Sequence, residues 1–217
     1  MAKAGASSKV AATGTDRSAS TRRALIDATI TTLREDGFSG ASARAIAERA
    51  GLNQGLIFYH FGSVVNLLLA ALDTVSEART AKYRAAIEGV STANEMVNLA
   101  TQIFQDDLDT GYVTVLVEII SGSSSTPGLG AEVATRIGPW FAFTKEALDK
   151  SFGNTPFASL LPSGDVAYMV VALYLGLEML THLDGDREPA LNLFAHAKQL
   201  VTLLGALSVF TPGPTPT

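Results

Sequence analysis

The segment Ala45-Ile46-Ala47-Glu48-Arg49-Ala50-Gly51-Leu52-Asn53 constrains this chain more than any other. Two short helical runs flank a three-residue turn that begins with glycine, which has the form of a helix-turn-helix. Each position has a physical reason. A small residue at Ala47 lets the two helices cross closely. Gly51 stands where a left-handed backbone costs least. Ile46, Leu52 and Ile57 lock the crossing angle. Ser42 is positioned to cap the helix over 42–50, and Asn53 to cap a third short helix from Gln54 to about His60. That third helix has a free face, and a major groove is wide enough to admit one helix.

The rest of the chain reads as helix. A first helix is expected over Thr21–Asp36, with Ile26, Ile30 and Leu33 on one face and an end at Gly37. Further helices are expected over Val64–Gly89, Ala93–Asp109, Tyr112–Ser121, Gly130–Phe152, Asp165–Leu183 and Pro189–Phe210, separated by Gly, Pro or Ser clusters. No stretch sustains period-two alternation. The fold class is therefore all-α, with a helix-turn-helix domain at 21–63 and a larger helical domain at 64–210. Residues 1–20, rich in Ala, Ser, Gly and Thr, read as a flexible arm. The tail 211–217, TPGPTPT, reads as disordered.

Composition narrows the function. The 217 residues include no cysteine, so disulfides, thiolate metal sites and thiol catalysis are excluded. The formal net charge of −5 argues at first against a nucleic-acid partner. Divided at residue 62, however, the chain has eight basic and five acidic side chains before that point, and eight basic and sixteen acidic after it. A mildly basic head on an acidic body favours presenting the head to DNA. The apolar run Val166–Leu180 is too short to span a bilayer and contains Glu178, so a soluble, cytoplasmic protein with no membrane partner is expected.

Residues 21–62 resemble the N-terminal region of the tetracycline-repressor (TetR) family of bacterial regulators. The matching pieces are Arg22-Arg23, Gly37-Phe38, Ile46-Ala47 followed by Ala50-Gly51, and the Ile57–Phe61 run. The resemblance implies that Gln54, Gly55 and Leu56 face base edges, that Tyr59 and His60 reach phosphates, and that Ser42 and Arg44 touch the DNA backbone. These roles suit the side chains: Gln pairs bidentately with adenine, Leu packs on a thymine methyl, and Tyr, His, Ser and Arg donate to phosphate. Phe58 and Phe61 are expected to be core anchors. The chain departs from the family pattern at Leu56, where a small hydroxyl residue is common, and at Val64-Val65, where a lysine is usual. The arm, with Lys3, Lys9 and Arg17, is a candidate replacement for the missing phosphate contact.

The resemblance also implies a ligand-responsive repressor that binds a pseudo-palindromic double-stranded DNA operator as a homodimer and is released by a small-molecule effector. For the dimer interface, Ala172 and Gly176 lie one turn apart in a helix that is apolar all round, and Leu193, Ala197, Leu200 and Leu204 recur at helical spacing. An aromatic and Met set, Met96, Phe104, Trp140, Phe141, Tyr168 and Tyr174, together with Glu118, could line a largely apolar ligand pocket. Glu118, inside an apolar run, either faces solvent or meets a ligand. Asp106, Asp107 and Asp109 read as a solvated helix end. No metal, cofactor or enzymatic motif is found: there is no phosphate-cradling loop, HExxH or nucleophile elbow. The alternatives are a helical interaction adaptor with a vestigial helix-turn-helix and, less favoured, a helical-bundle enzyme.

Overall fold

The computed structural model describes residues 5–152 and 162–209. The expected tail at 211–217 and Lys3 lie outside these residues, as does the side chain of Leu204. Among the described residues there is no strand, and the helices run α1 (Gly5–Gly40), α2 (Ala43–Ala50), α3 (Gly55–Phe61), α4 (Val64–Glu88), α5 (Ala93–Thr110), α6 (Tyr112–Ser123), α7 (Leu129–Phe152), α8 (Ser163–Asp184) and α9 (Glu188–Val209). The fold is all-α, as its periodicity requires.

Two compact units emerge, the first from residues 1–78 and 114–134, the second from 79–113 and 135–217. The first unit therefore extends past residue 63 and takes in most of α6. Its core is built from Leu25, Ile26 and Leu33 of α1, Ile46 and Ala47 of α2, Ile57 of α3, Leu67, Leu68 and Leu72 of α4, and Val115 and Ile119 of α6. Buried Thr29 and Thr32 do not violate this core, because their hydroxyls donate to the Leu25 and Ala28 carbonyls at 2.7 and 2.8 Å. Helical geometry in α1 breaks at Gly37, where φ is +70°.

Residues 5–20, expected to be a flexible arm, form the first turns of α1. Ala6, Ala11, Ala12 and Ala19 are strong helix formers, and no proline interrupts them. In the second unit α5 packs on α8 and α9. The apolar run in α8 also sits within a longer helix than the run itself suggested. At 22 residues, α8 is the one unbroken described helix long and apolar enough to cross a membrane.

Candidate functional site

Local rules position the helix-turn-helix. Ser42 adopts an extended conformation and its Oγ accepts the Ala45 N–H at 3.2 Å, which caps α2. At the other end Gly51 takes φ +66°, ψ +29°, and the Leu52 N–H donates to the Ala47 carbonyl at 2.9 Å. The chain thus turns within three residues. Asn53 Oδ1 accepts the Gly55 N–H at 2.8 Å and so starts α3. Ile46, Ala47 and Ile57 are buried at the crossing.

Spacing along α3 then sorts inside from outside. Ile57 and Phe61, four apart, face the core, whereas Gln54, Gly55, Phe58 and Tyr59 are exposed. Tyr59 is 80% exposed, with its ring edge-on to His60 at 4.9 Å. His60 and Leu56 are half-buried, and Ser42 and Arg44 are exposed on α2. All seven residues expected to contact DNA therefore lie on α2 and α3 of one unit or, for Ser42 and Gln54, at the N-caps of those helices.

Phe58 departs from expectation. It is 51% exposed, not a core anchor. It lies three residues after Gly55 and four after Gln54, beside the exposed residues at the start of α3 and at the edge of the Ile57–Phe61 stripe, so spacing alone did not decide its exposure. Phe61 is buried as expected, and the Arg22 guanidinium lies 5.0 Å over its ring. Arg49 does not add to the basic face. It spans Glu35 at 2.5 Å and Asp36 at 2.7 Å, where burial opposes its charge less than the Glu35 and Asp36 carboxylates favour it.

The residues expected to line a ligand pocket are not all brought together. Glu118 belongs to the first unit, where Oε2 accepts the Phe38 N–H at 2.7 Å. Met96 packs against a separate apolar cluster of Ile87, Val90, Leu99 and Ala147. Phe141 stacks on Tyr168 at 5.4 Å, and Tyr168 is 66% exposed. Only Phe104, Trp140 and Tyr174 gather around a common feature.

That feature is a buried polar network. Arg79 Nε donates to both Asp107 oxygens at 2.8 and 2.7 Å, and its Nη2 lies 3.2 Å from the Tyr174 hydroxyl. The Tyr174 hydroxyl donates in turn to Asp107. The Arg79 guanidinium sits 3.9 Å over the Trp140 ring and 4.7 Å over that of Tyr112. Burial works against the Arg79 charge, but the hydrogen bonds and charge of Asp107 outweigh it and raise its pKa. Burial pushes the Asp107 carboxyl up, and the Arg79 guanidinium pulls it back.

Glu178, one turn beyond Tyr174, is fully buried, and neither carboxylate oxygen has a hydrogen-bond partner. Burial pushes its pKa up to about 8 and the Asp107 charge adds to the rise, while the nearby Tyr174 hydroxyl, outside good hydrogen-bond geometry, and the Arg79 charge oppose it.

Asp107 corrects the expectation of a solvated helix end. It is 1% exposed, and only its neighbours fit that description: Asp106 pairs with Lys82 at 2.5 Å and Asp109 with Arg187 at 2.6 Å. The helix period separates them, because Asp107 falls three residues after Phe104 on the buried face of α5. His182 and His196 are exposed. No group of three or more His, Cys, Asp or Glu that could hold a metal occurs among the described residues.

Known proteins share this head. Residues 25–71 match the family model described as "Bacterial regulatory proteins, tetR family". The HTH-type transcriptional regulator UidR of Escherichia coli (strain K12) is 27% identical over 111 residues, which is 51% of this chain and 56% of that protein. The HTH-type transcriptional regulator BetI of Burkholderia thailandensis is 38% identical over 68 residues, covering 30% of this chain and 35% of BetI. The chain spans about half the length of UidR. A crystal structure of a TetR-family transcriptional regulator from Cytophaga hutchinsonii has the same fold, with a TM-score of 0.70 at 19% identity over 86% of this chain and 95% of that one. The capped, glycine-turned helix pair lies within the residues that match the tetR-family model, so the head of this chain is similar to that of the TetR family of bacterial regulatory proteins, and the helical fold of the whole is shared.

Proposed function

We propose that this chain is a DNA-binding transcriptional regulator, a repressor that binds a pseudo-palindromic operator as a homodimer and is released by a small molecule. The observation that carries the reading is the exposed face of α3: Gln54, Gly55, Phe58 and Tyr59 point away from a core that holds α3 rigidly through Ile57 and Phe61. A helix presenting a base-pairing amide and a phosphate-seeking hydroxyl from a rigid mount is suited to the major groove. Gln54, Gly55 and Leu56 would read base edges. Tyr59, His60, Ser42 and Arg44 would hold the phosphates, and exposed Phe58 adds an apolar surface beside them.

Dimerisation is supported by what α8 and α9 leave uncovered. Met169, Leu173, Leu180 and Leu183 of α8 and Leu193, Leu200 and Leu203 of α9 are exposed, together with Ala172, Gly176 and Ala197. A monomer rarely leaves so much apolar side chain in water, and a two-fold partner would bury it. This also accounts for the length and apolarity of α8 without a membrane.

Selection of binding sites from random duplexes tests the reading. Enrichment of a dyad-symmetric sequence with half-sites about one helical turn apart supports it. An unenriched pool overturns it and favours a helical interaction adaptor. Light scattering showing a monomer at micromolar concentration removes the dimer.

A further inference from the structure

Residues 5–20 carry α1 beyond the part of it that packs in the head. Residues 16–20 span more than a full turn and are all exposed, so no described element covers any side of the helix there. Among the described side chains of α1, burial begins at Leu25 and Ile26. A helix without a tertiary partner is marginal in water, so this stretch gains from a surface to lie on.

Charge says which surface. Residues 1–23 contain Lys3, Lys9, Arg17, Arg22 and Arg23 against a single acid, Asp16. Met1 and Val10 are their only large apolar residues, too few to enter a lipid surface or an apolar groove. Asn and Gln, the side chains that pair with adenine, do not occur there. Arg17, Ser18 and Ser20 are exposed, and guanidinium and hydroxyl groups are ligands for phosphate.

We propose that residues 5–20 of α1 form a second DNA-binding element, which lies on the phosphate backbone flanking the operator half-site and holds it without reading sequence. The inference rests on the regulator reading above and adds a surface for the same partner, duplex DNA.

The helix leaves the head in the right place. The Arg22 guanidinium lies 5.0 Å over the ring of Phe61, the last residue of α3, and that ring meets His60 at 6.4 Å. The projection therefore departs beside the end of α3 that carries Tyr59 and His60. At 1.5 Å per residue it reaches about 24 Å further, the length of about seven base pairs.

The head also needs cations from elsewhere. The basic residues of α2 and α3 are Arg44, Arg49 and His60, and Arg49 is claimed by Glu35 and Asp36. Neutralised phosphates supply nearly all sequence-independent affinity, so a face with one uncommitted arginine draws it from a neighbouring element.

The test uses the full chain and a site selected from random duplexes, placed in a short duplex that ends at the site and in a long one with about ten more base pairs of unrelated sequence at each end. Wild type should bind the long duplex at least about tenfold more tightly at low salt, whatever the flanking sequence, with log affinity steeper in log salt by about one unit per added contact. Lys9→Gln/Arg17→Gln should match wild type on the short duplex and lose the gain on the long one. Ala12→Pro keeps every charge, breaks the helix well before Leu25 and should lose most of the gain. Equal wild-type binding of both duplexes, a gain confined to one flanking sequence, or a gain that survives in either variant overturns the proposal. Failure to bind either duplex removes the regulator reading and this surface together, whereas equal binding of both removes this surface alone.

Discussion

The backbone N–H of Phe38 donates to Oε2 of Glu118 across 2.7 Å. The bond forms where α1 breaks at Gly37, and it gives a partner to an N–H that the break would otherwise leave without one. The Phe38 ring then lies so close to Gly122 that a Cβ built there would sit 2.2 Å from it. Within the first unit, α6 is thus fitted to the end of α1 by one hydrogen bond and one missing side chain.

Glu118→Ala should destabilise the protein by about 1–3 kcal/mol, because it leaves a part-buried N–H unsatisfied. Gly122→Ala should cost a similar amount by forcing the Phe38 ring aside. Both are read as shifts of the urea midpoint for the first unit at unchanged slope. A midpoint for either variant within error of wild type removes this account of the contact.

Apart from the start of α1, the helix ends around the turn and the inside-outside sorting of α3 were legible in the sequence because they depend on local rules. Ser42, Gly51 and Asn53 act within a few residues of themselves, and the helical period places Ile57 and Phe61 inside. Glu118 was visible as an isolated carboxylate, but its partner lies 80 residues away, and nothing local names Phe38. Asp107 was misread for the same reason: neighbouring acids on an exposed helix end concealed one that turns inward to Arg79, 28 residues earlier. Phe58 failed differently. Aromatic character suggested core, while spacing puts it only at the edge of the buried α3 stripe, where it stays exposed.

Gly51→Ala isolates the cost of the turn. A Cβ at Gly51 meets nothing within 4 Å, so the penalty is the left-handed backbone alone, about 1–2 kcal/mol. Thermal unfolding should register that loss. A variant as stable as wild type would mean the turn relaxes to another conformation, and DNA affinity should then fall instead.

Gln54 and Tyr59 should separate reading from holding. If Gln54 reads a base as proposed, Gln54→Ala should lower discrimination at one base pair by about 1–3 kcal/mol while random-sequence binding is unchanged. Tyr59→Phe removes only a hydroxyl, which under the proposed reading donates to phosphate, and should weaken specific and random duplexes alike. Competition binding with single-base operator variants measures both. Equal loss on specific and random DNA for Gln54→Ala contradicts its assignment.

Val64 is half-buried at the start of α4, and under the proposed reading a lysine there would reach a phosphate. Val64→Lys should steepen the dependence of log affinity on log salt by about one unit, reflecting one more neutralised phosphate. A slope unchanged from wild type would place Val64 too far from the DNA backbone to matter.

Glu178 should leave its mark on stability as pH changes. Its carboxyl titrates near 8 in the folded protein, against an ordinary value of 4.5, so between those limits the folded chain holds a proton that the unfolded chain releases. The contribution is fully present below about pH 4.5 and is lost as pH rises through 8. Between pH 5.5 and 8 this site alone should lower unfolding free energy, by at most about 1.4 kcal/mol per pH unit. Glu178→Gln cannot ionise, so the variant should lose that slope and become the more stable protein at pH 8. Urea denaturation at half-unit pH intervals compares the two. Parallel curves would mean that Glu178 is not held protonated by its burial.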